Sequence, residues 1–150
     1  MIVFMSTSFL GIIVGGLVPL FCFGVSGVLN KLAAQANIGV ASFLFFTGIG
    51  AAVASLPFLL QERTVSFGLK GSLYSFLMGF LWGLGVGFVT FAIQRFQTPY
   101  SRLVPIFNMN TLIVVLVTLW LFAEWKEVKT VQLFLGTLFI VIGGTLVALA

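Results

Sequence analysis

The chain has 150 residues, 61% of them hydrophobic and only 7% charged, where a soluble domain carries roughly 25% charged residues. Lipid rather than water is therefore the expected solvent, and a net charge of +4 spread over scattered basic residues makes no patch for nucleic acid. With no His, no Asp and a single cysteine, Cys22, a disulfide framework and a Cys/His metal site are excluded, and no cofactor is expected.

A membrane-spanning helix needs about 20 mainly apolar residues. Five segments qualify, at roughly 8–34, 40–60, 71–94, 103–125 and 131–150. The expected fold class is an all-α integral membrane protein with five transmembrane helices in a single domain over 1–150. The connectors "AQANIG", "QERTVSFGLK", "RFQTPYSR" and "EWKEVK" are short and hold most of the charge. The runs do not alternate in polarity, which argues against a β-barrel.

The N-terminal stretch "MIVFMSTSFLGIIVGG" has no basic residue before its apolar run. It lacks the positive region of a secretory signal and is expected to stay as an anchor. Along the first span, Gly15, Pro19, Cys22, Ser26, Asn30 and Ala33 share one stripe at 100° per residue. Lys31 is the one charge expected to enter the membrane. Either it snorkels to the interface or it stands as a fixed positive charge at a cavity mouth. "GVSG" at Gly24–Gly27 has the form of an intramembrane serine protease motif, but no histidine base exists. Ser26 and Lys31 lie about 140° apart on the wheel and do not face each other. No enzyme is expected.

The second span gathers Ala41, Gly48, Ala52 and Ser55 on one face. The third gathers Ser72, Ser75, Gly79, Gly83, Gly87, Thr90 and Gln94. Small residues let helix backbones approach closely in lipid, so Gly79, Gly83 and Gly87 are expected to pack helices. Gly83→Leu is then expected to cost folded protein. The polar members exceed what packing requires, and part of the stripe is a candidate solvated pathway. Trp82, near mid-span, either offers a ring face and an N–H to a solute or packs on a neighbour.

The fourth span carries Pro105, Asn108 and Asn110 in its first turns. Pro105 in a first turn costs little. On a continuous wheel Asn108 joins Thr111, Val115 and Thr118 within about 80°, with Asn110 about 200° away. One asparagine is expected to face a cavity and the other a neighbouring helix. Asn108 is the lead for the cavity and Asn110 for packing, with the opposite assignment open. Glu62, Glu124 and Glu127, the only carboxylates, fall at span ends or in connectors. No acid is buried for proton coupling. The absence of an acid in the first span also argues against the four-helix small multidrug exporters.

The ordered series of motifs resembles the drug/metabolite transporter superfamily, EamA type. "FGVSGVLNKLAA" is similar to its first-helix pattern. "LWGLGVGFVTFAIQRFQTPYSRLVPIFNMNTLIVVLVTLWLFAEWKEV" is similar to its third and fourth helices, with Trp82, Gly83, Pro105 and Glu124 at the matching places. "GTLFIVIGGTLVALA" resembles its glycine-punctuated last helix. "RLVPIFNMNT" also looks like the sugar-porter branch. Family members commonly have ten helices in two inverted five-helix repeats around a central cavity. The resemblance implies that this chain is one repeat, half of a metabolite transporter working by alternating access. Ser26, Asn30, Lys31, Trp82, Thr90, Asn108 and Thr111 are the expected pathway residues. The expected partners are the bilayer of a plasma or inner membrane, a small-molecule solute, and a second five-helix unit. That unit is an antiparallel copy of the same chain or a separately encoded subunit. The alternative reading is a non-transporting membrane assembly protein; a channel is the third.

Overall fold

The computed structural model describes residues 11, 13–62, 67–126 and 128–149, without the side chains of Glu124 and Thr130. The expected start of the first span at residue 8 and the expected end of the fifth at residue 150 lie outside the described residues, as do Arg63 and Glu127. All regular structure among the described residues is helical. Among the described residues seven α-helices form: α1 (Val18–Gln35), α2 (Val40–Ala54), α3 (Leu56–Gln61), α4 (Leu69–Phe96), α5 (Tyr100–Asn108), α6 (Asn110–Leu121) and α7 (Thr130–Leu149). They compose five stretches long and apolar enough to cross a bilayer: Ile13–Gln35, Val40–Gln61, Leu69–Phe96, Tyr100–Leu121 and Val131–Leu149.

Prolines account for the irregularities within the first two spans. A proline has no N–H for the carbonyl four residues back, and its ring crowds that carbonyl. Ahead of Pro19 the chain widens into a π-helical turn, Ile13–Leu17, which contains the displaced position Gly15. Ahead of Pro57 the second span breaks at Ser55, whose amide donates to the Ala52 carbonyl at 3.2 Å. The Ser55 hydroxyl donates to the same carbonyl at 2.7 Å.

The fourth span departs most from the expectation. It begins at Tyr100, with Pro99 as the residue before the helix, so Pro105 lies inside α5 and not in its first turn. One turn later the helix breaks at Met109, whose amide donates to Ile106 at 3.2 Å, three residues back. The helix resumes as α6 and ends at Leu121; Trp125 belongs to a short 3₁₀ turn, Glu124–Lys126. Met109 keeps right-handed helical angles, φ −62° and ψ −11°, so the break tightens the turn between Asn108 and Asn110 without reversing the chain.

Three helix ends are turned by non-glycine residues in the left-handed region. Asn37 (φ 58°) follows α1, Gln97 (φ 52°) follows α4 and Ala123 (φ 55°) follows α6. This is the position where glycine is most at ease.

The chain forms two compact units, one through Phe96 and one from Gln97. In the first, α4 packs against both α1 and α2. In the second, α7 packs against α5 and, less extensively, α6. Few side chains are buried. Ala34 and Leu119 are the buried apolar residues, and Asn30, Thr90 and Thr137 the buried polar ones among those described. Most large apolar side chains point outward, as expected where the surroundings are lipid.

Candidate functional site

The first unit holds a polar seam between α1 and α4. Asn30 and Ala34 lie four residues apart on α1, and Thr90 and Gln94 four apart on α4, so each pair shares a helix face. Thr90 is fully buried and Asn30 nearly so. The Thr90 hydroxyl lies 3.1 Å from Asn30 Oδ1 and 3.0 Å from the Val86 carbonyl. One hydroxyl proton cannot serve two acceptors fully. Exchanging the Asn30 amide oxygen and nitrogen lets Asn30 Nδ2 donate to Thr90 while Thr90 donates to Val86. Further along, Gln94 Nε2 donates to the Ile38 carbonyl at 2.7 Å and approaches the Ala34 carbonyl at 3.5 Å. It thereby ties the last turn of α1 and the α1–α2 connector to α4.

Asn30 and Thr90, both expected on a pathway, are thus brought together, but inside a packed seam. Ser26 is exposed, and its hydroxyl donates to the Phe23 carbonyl at 2.9 Å. Lys31 lies within α1, one turn before its end, and is exposed.

Beside the seam a groove runs between α2 and α4, with a volume of about 460 Å³. Thr47 and Gly48 line it from α2, and Ser75, Gly79, Trp82 and Gly83 from α4. The Thr47 hydroxyl is engaged with the Phe43 carbonyl at 2.8 Å. Trp82 is 53% exposed, so its ring borders the groove rather than a sealed core.

The glycines divide. A Cβ on Gly87 would meet Leu44 Cδ1 at 3.1 Å, the close approach expected of this run. At Gly79 and Gly83 nothing stands within 4 Å. Both open onto the groove, so the close packing expected there is not made within the described chain.

In the second unit, Asn108 and Asn110 are both exposed on either side of the Met109 break. Thr111 is half-buried, and its hydroxyl donates to the Asn108 carbonyl at 2.9 Å. Asn108 and Thr111 thus stay one turn apart across the break. Sequence periodicity singled out neither Gly144 nor Thr137. A Cβ on Gly144 would stand 3.4 Å from the Pro105 carbonyl oxygen and 3.3 Å from Met109 Cε. Thr137 is buried and donates to the Leu133 carbonyl at 2.8 Å. The "GG" at Gly143–Gly144 was the available signal, but it does not say which glycine meets a neighbour. Among the described residues, no cluster of metal-ligating side chains forms.

Five apolar helical stretches of spanning length define an integral, multi-pass helical membrane protein. No protein-family model, no curated protein and no solved structure matches the chain.

Proposed function

We propose that the chain is a subunit of a secondary transporter that moves small metabolites by alternating access, as an antiparallel dimer or with a second five-helix subunit. The observation that carries this reading is the α2–α4 groove. Its volume of about 460 Å³ falls within the range of roughly 300–1,000 Å³ typical of small-ligand sites. Its lining is also of that kind: mostly apolar, with an indole and two hydroxyl-bearing residues, Trp82, Ser75 and Thr47. The ordered resemblance to the EamA-type transporters supports the same reading.

The solute meets Trp82 at the groove, while the α1–α4 seam keeps the wall behind it in register. The test is flux in proteoliposomes, with solutes chosen by thermal-shift screening of metabolite mixtures, since a bound ligand stabilises the fold by mass action. A transporter gives saturable uptake and counterflow. Unsaturated flux indicates a channel. Absence of both, from folded protein, favours the assembly reading.

A further inference from the structure

The turn at Met109 is held by a small set of local bonds, all inside the unit from Gln97. The Met109 amide donates to the Ile106 carbonyl at 3.2 Å and the Leu112 amide to the Met109 carbonyl at 3.0 Å, each three residues back. With ψ of −11° at Met109, this is a 3₁₀ turn between two α-helices, a form that often marks a hinge. The Thr111 hydroxyl donates to the Asn108 carbonyl at 2.9 Å. In a regular helix that carbonyl takes the amide four residues on, which is that of Leu112.

Packing on the two sides of the turn is unequal. α5 is held on α7 at close range, since a Cβ on Gly144 would stand 3.4 Å from the Pro105 carbonyl oxygen and 3.3 Å from Met109 Cε. α6 is the longer helix, with 12 residues against 9, yet it packs less extensively on α7 than α5 does. The turn therefore separates a clamped segment from a more loosely held one.

We propose that Met109 is the pivot of a two-state hinge, about which α6 swings while α5 and α7 stay together, and that the Thr111 hydroxyl selects the state. In the tight state, the one described, Thr111 holds the Asn108 carbonyl and the Leu112 amide is on Met109. In the straighter state the Leu112 amide returns to the Asn108 carbonyl and the Met109 amide to that of Pro105, each four residues back. The Thr111 hydroxyl then donates to the Phe107 carbonyl, as threonines in helices do. Hydrocarbon requires backbone groups to be satisfied within the segment. Each state gives the Asn108 carbonyl and the Met109 and Leu112 amides a partner, which is what a bistable element needs. α6 is about 18 Å long, so a change of about 20° at the pivot carries its far end about 6 Å. The hinge lies within one unit and is independent of the transporter reading, although a part that moves against a fixed neighbour is what alternating access uses.

The test is pulsed electron paramagnetic resonance between pairs of spin-labelled cysteines in the full chain in lipid, on a Cys22→Ala background. Labelled chains are diluted with unlabelled ones, so that only distances within one chain are read. Leu121→Cys with Leu149→Cys reports α6 against α7, and Ile106→Cys with Leu135→Cys reports α5 against α7. The expected result is one narrow distance for the α5–α7 pair and two components for the α6–α7 pair, separated by up to about 6 Å. Thr111→Val keeps the shape and removes the hydroxyl, so the Asn108 carbonyl has a partner only in the straighter state. The α6–α7 distribution should then collapse to one component, and Thr111→Ser should restore both. A single narrow α6–α7 distance in the native chain overturns the proposal, and that measurement decides even if Thr111→Val does not fold. Two components left unchanged by Thr111→Val overturn it as well, as does an α5–α7 distance that splits with them. Flux takes no part in the scoring, so the transporter reading stands or falls separately.

Discussion

Thr90 has no exposed surface, and its neighbour across the seam is the nearly buried amide of Asn30. Thr90→Val keeps the shape and removes the hydroxyl, leaving Asn30 short of a partner. Interhelical polar contacts in one membrane system average about 0.6 kcal/mol and reach about 1.7. Thr90→Val is therefore expected to lower unfolding free energy by about 1 kcal/mol. A double-mutant cycle with Asn30→Leu should show coupling of about 0.6 kcal/mol, and additivity would remove the seam as a stabilising contact.

The glycines give a second residue-scale contrast. Gly83→Ala should be nearly neutral, because no atom stands within 4 Å of the new methyl. Gly144→Leu should cost about 1–3 kcal/mol, because the carbonyl of Pro105 cannot retreat as a side-chain tip can. Thermal denaturation in one detergent compares them directly, and equal melting temperatures would contradict the distinction. Ala123 is the third case. Its left-handed backbone strains an L side chain by roughly 1 kcal/mol, so Ala123→Gly should raise stability by up to about that amount. A lowered melting temperature would show that the strain is absent.

At the scale of elements, Pro105 shapes the first turns of the fourth span, because the carbonyl it leaves without a partner is that of Ser101, well before the break at Met109. Pro105→Ala gives back an N–H to the Ser101 carbonyl and removes the ring that crowds it. The expected outcome is unchanged or raised thermal stability with the break at Met109 kept. Spin labels placed before residue 105 and after residue 112 should report nearly the same separation; a large change would make Pro105 the cause of the break. The Met109 break was not legible in the sequence. Pro105 reads as a first-turn residue only if the helix starts near Leu103. Pro99 and the turn at Gln97 start it at Tyr100 instead. An error of three residues at a boundary changed a tolerated proline into an interior one.

For the whole molecule, the balance of basic residues bears on orientation. With five spans in alternation, Arg63, Lys70, Lys126 and Lys129 fall on the N-terminal side, and Lys31, Arg95 and Arg102 on the other, accounting for all seven. Lys31 lies deeper inside its helix than Lys70, Arg95 and Arg102, which sit within two residues of a helix end, and leaving it out makes the comparison four against two. Such a small excess gives a weak preference for the N-terminus inside. A C-terminal reporter sensitive to compartment should therefore signal on both faces. Arg95→Ala with Arg102→Ala should collect most chains with the N-terminus inside. Signal on one face alone in the native chain would rule out dual insertion and call for a separately encoded partner.

The sequence by itself determined the solvent, the number of spans and their approximate limits. Hydrocarbon admits only segments that satisfy their own backbone, and about 20 apolar residues are the signature of such a helix. It also supplied the small and polar stripes, because a regular helix carries its periodicity in the chain. What only the tertiary structure decided is which members of a stripe meet a neighbour. Gly87 approaches Leu44 while Gly83 opens onto the groove, and Thr90 is sealed against Asn30. Periodicity fixes a direction around one helix axis. Contact depends also on the tilt and separation of a second axis, which are set by packing between segments 60 residues apart in the chain.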